Sequence, residues 1–235
     1  MSEKPYYSGE RAFWDRQGHQ SYSVLSPHDR HRLHAWIGQC REGAVLDLGG
    51  GSGAAGDLVG TANHNWTVCL DISFEMVRHA RGLRVQGDAL RIPFADGSFA
   101  VVVVAAFLHH VPGRETAVLR ECLRVLAPGG RVLGYDPSAL CLQNRIFMQG
   151  GPLRAKCFSP DERPVDPSAL GVVAEGIGFS EFQFRTFSFR YQEMTPFELV
   201  QRYLLTPLAR GPLKPRLDRW FYWEARRPEP AVRVS

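Results

Sequence analysis

The groups in this chain placed to do chemistry follow directly on apolar runs: Asp47 after AVL, Asp71 after TVCL, Asp88 after LRVQG, His109-His110 after AVVVVAAFL, and Asp136 after RVLGY. Beside Asp47 stands a glycine cluster, Gly49-Gly50-Gly51-Ser52-Gly53. A glycine-rich turn after an apolar strand lets the backbone come close to a ligand and turns amide N–H groups outward. The cluster satisfies two templates. One is an acidic residue followed by G-x-G-x-G, from Asp47 to Gly53; the other is the dinucleotide fingerprint G-x-G-x-x-G, from Gly51 to Gly56. The glycines leave both open. Asp71, twenty residues past Gly51, stands where a carboxylate accepts hydrogen bonds from a ribose, which suits any adenosine cofactor.

Asp47 discriminates between the two. A carboxylate at the end of the first strand repels a pyrophosphate and favours an ammonium group, directly or through water. S-adenosylmethionine carries such an ammonium, and NAD carries a pyrophosphate. Asp88 could accept from an exocyclic adenine amine, with the Ala89 N–H offered to a ring nitrogen. His109 and His110 follow a strand on its carboxyl side, the edge where open α/β sheets bind ligands. An imidazole there suits proton acceptance near neutral pH, and Asp136 at the same rim could orient it or bind a substrate hydroxyl. The plainer alternative for all three is loop capping or an ordinary strand-end carboxylate.

These residues need a sheet to hold them. AVLDL from Ala44, TVCLD at 67–71 and LRVQ at 83–86 predict the first three strands, with Ser73 capping a short helix that carries Met76, Val77 and Ala80. AVVVVAA (100–106) is β-branched without alternation, as a strand buried on both faces requires, and is expected at the sheet's centre. The segment 114–126 predicts a helix with Val118, Cys122, Val125 and Leu126 on one face, ended by Pro128-Gly129-Gly130 before strand 131–136. Asp166 and Pro167 open another helix, lined by Leu170, Val173, Ala174 and Ile177. In FSEFQFRTFSFRY the aromatic residues change phase between Phe184 and Phe187, predicting a bulge near Thr186, and RWFYWEARR (219–227) gives the last strand. The expected organisation is an N-terminal arm over residues 1–40, ending in a helix with Leu33, Trp36 and Ile37, then one domain over 41–235 with insertions at about 137–165 and 195–215. Tyr6, Tyr7 and Tyr22 of the arm are lid candidates.

VLDLGGGSG, CLDIS, QGDALRIPFADGSFAVVV, AAFLHHV and RECLRVLAPGGRVLGYD together resemble the class I S-adenosylmethionine-dependent methyltransferases that act on small molecules, over about residues 40–136. The resemblance implies a three-layer, Rossmann-like, seven-stranded α/β sheet, mostly parallel with an antiparallel last strand. It implies methionine held near Gly49, Gly50 and Gly51, ribose on Asp71, and adenine bracketed by Ile72, Met76, Asp88 and Ala89, with Ala105 among the cofactor contacts. Similar histidine pairs in relatives make His109, His110 and Asp136 the catalytic candidates. The product is S-adenosylhomocysteine and the partner a small-molecule acceptor with an O, N or C nucleophile. Ala100 departs from the family's frequent Asp.

Other classes recede. With 44% hydrophobic and 22% charged residues the chain is of ordinary globular composition. No apolar run reaches the roughly 18 residues of a spanning helix, and the first residues lack a signal-peptide core, so a cytoplasmic protein is expected. Five cysteines without C-x-x-C spacing indicate neither a disulfide framework nor a zinc knuckle, and His19, His28, His31, His34, His64 and His79 show no ligand spacing, so no metal is expected. A net charge of +4 with scattered basic residues does not suggest nucleic acid. The missing Asp/Asn-Pro-Pro-aromatic motif and the absence of a cysteine after the fourth strand disfavour base methylation. An NAD(P)-dependent oxidoreductase and a non-methylating member of the same fold remain as the alternatives.

Overall fold

The computed structural model describes residues 8–17, 43–55, 66–148, 159, 161–187 and 213–230. Its frame is a seven-stranded sheet of order β3-β2-β1-β4-β5-β7-β6. The strands are β1 (Val45–Leu48), β2 (Thr67–Asp71), β3 (Leu83–Gln86), β4 (Phe99–Ala105), β5 (Leu126–Pro137), β6 (Ser180–Phe187) and β7 (Trp220–Arg226). The pairs among β1 to β5 are parallel, and β7 runs antiparallel between β5 and β6. The antiparallel last strand is as expected.

β4 lies near the middle, as its valine run requires. Val102 and Val104 join Leu46 and Leu48 in the larger core, while Val101 and Val103 join Val45 and Leu133 on the opposite face. Two-residue periodicity therefore sends the same run into both layers, and neither layer tolerates a polar alternate. Fully burying each such side chain stabilises the fold by roughly 1.5–3 kcal/mol.

The described helices are α1 (Ser8–Gln17), α2 (Phe74–Val77), α3 (Glu115–Val125), α4 (Leu142–Met148), α5 (Pro167–Gly176) and α6 (Lys214–Leu217), with a 3₁₀ turn at Leu108–His110. Ser73 caps α2 by accepting the Met76 N–H at 3.2 Å. Asp166 caps α5 by accepting from Ser168 and Ala169, with Pro167 in the first turn. α3 buries Val118, Leu119, Cys122 and Val125, and it packs on β5 and α5.

Two expectations need correction. β5 reaches back through Pro128-Gly129-Gly130 to Leu126, which pairs with Phe99. The glycines allow the irregular approach, Gly129 lying at φ +73°. Along β6 the register runs unbroken from Gln183 to Phe187, and the irregularity falls between Ser180 and Gln183, where Glu181 sits at φ +54°. The phase change that suggested a bulge at Thr186 reflects aromatic packing on both sides of the strand: half-buried Phe184 packs on Phe221, and Phe187, the one buried residue of the opposite side, packs on Tyr222. The expected helix around Trp36, the tyrosines of the arm and nearly all of insertion 195–215 lie outside the described residues.

Candidate active site

At the carboxyl ends of β1, β2 and β4 the sheet opens into a cleft whose empty space, open mouth included, is about 990 Å³. Gly49 turns the chain out of β1 at φ +65°, where a Cβ would stand 2.1 Å from the Phe107 ring, so only glycine fits. Gly51, at φ +54°, donates its N–H to Asp71 Oδ2 at 2.9 Å, while Ser73 donates to Oδ1 at 2.8 Å. Burial pushes the Asp71 carboxyl above its ordinary range, against the pull of those two amides.

The cleft gathers most of the expected cofactor residues. Gly49, Gly50 and Gly51 form one wall, Asp71, Ile72 and Met76 a second, and Asp88, Ala89 and Ala105 also line it. Asp88 Oδ1 accepts the Leu90 N–H at 2.8 Å, which fixes the turn after β3. Asp47 is placed differently from the expectation. Its side chain is fully buried and does not line the cleft; it lies beneath the loop, so that a Cβ on Gly50 would meet the carboxylate at 2.5 Å. Gly56, the last glycine of the dinucleotide fingerprint, is outside the described residues. Backbone amides, an acidic acceptor and an apolar slot within one cavity fit a nucleoside thioether.

The two histidines part company. His109 is buried and absent from the cleft wall; its Nδ1 lies 2.9 Å from Asp136 Oδ1, and its own backbone N–H reaches the same oxygen at 3.2 Å. Burial holds the His109 ring neutral, lowering its pKa to about 3, and raises the Asp136 carboxyl to about 7. Asp136 thus orients His109 inside the protein and does not face a ligand. His110 lines the cleft. Its Nδ1 stands 3.4 Å from Glu10 Oε2 and 3.4 Å from Glu162 Oε1. Its ring meets Trp14 edge-on at 5.2 Å and lies against the His109 ring at 4.0 Å.

Glu10, Trp14 and Glu162 escaped sequence reasoning. Glu10 and Trp14 sit on α1, one turn apart, and both line the cleft, with Trp14 Nε1 donating to Glu10 Oε2 at 3.1 Å. The Ser159 hydroxyl also donates to Glu10. Burial acts to raise the Glu10 pKa, but His110, Ser159 and Trp14 outweigh it and hold the carboxyl below its ordinary value. Glu162 is buried, accepts the Ser159 N–H at 3.0 Å and has its pKa raised by burial. The i, i+4 spacing of Glu10 and Trp14 was the available signal, yet nothing local marked that face as turned toward His110. Glu162 lies in an irregular segment with no period to read.

A methyltransferase domain family model matches residues 46–134. A demethylmenaquinone methyltransferase of Mycolicibacterium vanbaalenii is 36% identical over 129 residues, 53% of this chain and 49% of that protein. The chain spans about half the length of that relative, and less of the next two matched. A demethylmenaquinone methyltransferase of Mycobacterium sp. strain KMS is 34% identical over 182 residues, 72% of this chain and 68% of that protein. Among solved structures, an S-adenosylmethionine-dependent methyltransferase from Archaeoglobus fulgidus superposes with a TM-score of 0.60 at 18% identity, over 84% of this chain and 92% of that one, and so shares the fold. The domain match over the glycine loop and central strands, and a relative aligned across two thirds of its length, agree with a cleft built for a nucleoside thioether: the chain belongs to the class I S-adenosylmethionine-dependent methyltransferases.

Proposed function

We propose that this protein transfers a methyl group from S-adenosylmethionine to an O, N or C nucleophile of a small organic molecule. The observation that carries the reading is that nucleoside-side residues and a proton-accepting imidazole share one cavity: Asp71, Met76 and Ala89 line the same cleft as His110, and the aromatic residues Trp14 and Tyr135 line it too. The curated relatives' names, demethylmenaquinone methyltransferase among them, support a small apolar or quinone-like acceptor. The aromatic rings of Trp14 and Tyr135 give such a molecule apolar surface.

S-adenosylmethionine supplies an electrophilic methyl on a sulfonium and leaves as S-adenosylhomocysteine. The rest is positioning. The glycine backbone and Asp71 fix the nucleoside half, and the far wall holds the acceptor. Orientation of this kind supplies up to roughly 7–11 kcal/mol of a barrier in well-aligned systems. A protic nucleophile must also lose its proton. His110 is the imidazole on the cleft wall, and a placed base contributes about 10²–10⁴-fold. His109, tied to Asp136, supports it from behind. The protein is inferred to work in the cytoplasm: the described cysteines, Cys69, Cys122 and Cys141, are unbridged and buried, and no described helix is long and apolar enough to cross a membrane.

Calorimetry with S-adenosylhomocysteine, followed by transfer of labelled methyl to reduced demethylmenaquinone and a panel of phenols, amines and sugars, tests the reading. Expected are one tight nucleoside site and labelled product with at least one acceptor. An absence of S-adenosylhomocysteine binding, or binding without transfer across the whole panel, would overturn it.

A further inference from the structure

We propose that Glu10 and Glu162 are positioning residues that hold the His110 imidazole in its Nδ1–H tautomer, leaving the Nε2 lone pair to accept the substrate's proton. The proposal rests on the methyl-transfer reading and assigns the roles within its base. His110 presents one ring nitrogen to two buried carboxyl oxygens, each 3.4 Å away, from two distant segments of the chain. A neutral imidazole carries one N–H and one lone pair, and the hydrogen bond made by one nitrogen fixes the state of the other. An ionised carboxylate only accepts, so an oxygen facing Nδ1 requires the proton to sit there. Glu10 is the stronger holder, because Trp14 and the Ser159 hydroxyl donate to it and keep it ionised. Glu162 is steadied by the Ser159 amide.

At 3.4 Å neither carboxyl oxygen meets hydrogen-bond geometry, and His110 Nδ1 is without a hydrogen bond as it stands. Catalytic hydrogen bonds are commonly long before ligands are in place, and tighten in the complex. The ring is pinned in plane by Trp14 edge-on and by His109 at 4.0 Å, and His109 is itself anchored by Asp136. Asp71 at the end of β2 and Asp136 in β5 are further carboxyls that interact with the charge of His110. Because Glu10 rides on α1 and Glu162 on the segment before α5, the base is assembled from three separate pieces of chain and is complete only with α1 docked. The proton removed from the nucleophile passes to Nε2. The resulting imidazolium carries protons on both nitrogens, with its charge set against Glu10, and it returns the Nε2 proton to solvent as product leaves.

The same side chains bear on a rival. One atom each from His109, His110 and Glu162 lies within 4.8 Å of the others, a grouping that could also hold a cation.

The test uses the full chain, labelled with nitrogen-15 histidine and saturated with S-adenosylhomocysteine. Two-bond proton–nitrogen correlation spectra report which ring nitrogen is protonated, and His110→Gln identifies the signals. Expected are a protonated Nδ1 and a bare Nε2 in the natural protein, and a switch to Nε2–H in the Glu10→Gln/Glu162→Gln double variant with S-adenosylhomocysteine still bound. A purely structural role for the two glutamates would leave the tautomer in place. If the double variant fails to bind the nucleoside, Glu162→Gln alone, which lies off the cleft wall, carries the comparison. A natural protein with Nε2–H, a folded variant with unchanged tautomer, or stoichiometric zinc binding that moves both His109 and His110 nitrogens would overturn the proposal. The tautomer is read without turnover, so failure of methyl transfer in the earlier assay is a separate result.

Discussion

Asp71 holds the Gly51 and Ser73 amides with one carboxylate, and burial raises its pKa, so it takes up a proton at a higher pH than an exposed aspartate. A protonated oxygen no longer accepts from a ribose hydroxyl. S-adenosylhomocysteine affinity is therefore expected to fall as pH drops, starting above the ordinary carboxylate value, in calorimetric titrations across the acid range. Asp71→Ala should cost about 1.5–3 kcal/mol of binding, the worth of a hydrogen bond to a charged group, and abolish that pH dependence. His109 and Asp136 make a second prediction. Between about pH 4 and 6.5 the unfolded pair holds one proton, on the histidine, and the native pair also holds one, on the aspartate, because burial lowers His109 to about 3 and raises Asp136 to about 7. Equal proton counts give no slope of stability with pH. In Asp136→Asn the native state holds none and the unfolded state still holds one. Stability should then fall by about 1.4 kcal/mol per pH unit below 6.5, read from urea midpoints at several pH values.

At the scale of elements, what was legible in the sequence was whatever repeats. The valine run of β4, the capping residues Ser73 and Asp166, and the apolar face of α3 all carry a period or a cap, and all stand in the structure where they were expected, except that α3 ends at Val125 and leaves Leu126 to β5. The carboxyl-edge rule brought Asp71, Asp88 and His110 to one cleft. It could not tell His109 from His110, because both rings leave the 3₁₀ turn at Leu108–His110 side by side, and only the outer one, His110, reaches the cleft. Nor could it place Asp47 under the loop, since strand-end position fixes an edge but not a side-chain direction. Glu162 lies where neither period nor motif reaches, and the i, i+4 spacing of Glu10 and Trp14 does not say which way their face turns. Gly134 was not singled out, although β5 depends on it: a Cβ there would meet the Val104 carbonyl oxygen at 2.2 Å and the Trp223 ring at 2.9 Å. Gly134→Ala should cost roughly 1–3 kcal/mol or more, seen as a lower thermal midpoint, since a packed sheet has no room to give.

Across the whole molecule, α1 joins regions far apart in sequence. Asp15 accepts from the Ser73 hydroxyl at the cap of α2, and Glu10 accepts from Ser159. Under the proposed reading a nucleoside in the cleft lies against Met76 of α2, whose capping residue Ser73 donates to Asp15 of α1. Its binding should slow hydrogen exchange of the α1 amides far more than those of α3, which has no contact with the cleft; equal protection of both helices would separate α1 from the site.

β7 lies between β5 and β6, so the strand translated last of the seven fills an interior slot. As the nascent chain leaves the ribosome, β5 has no neighbour on that side and β6 has no partner at all until residues 220–226 emerge. A message cut short before Trp220 would yield a polypeptide with β5 bare on one side and β6 bare on both, ready to pair with whatever is near. Quality control would meet such a product as an unclosed sheet.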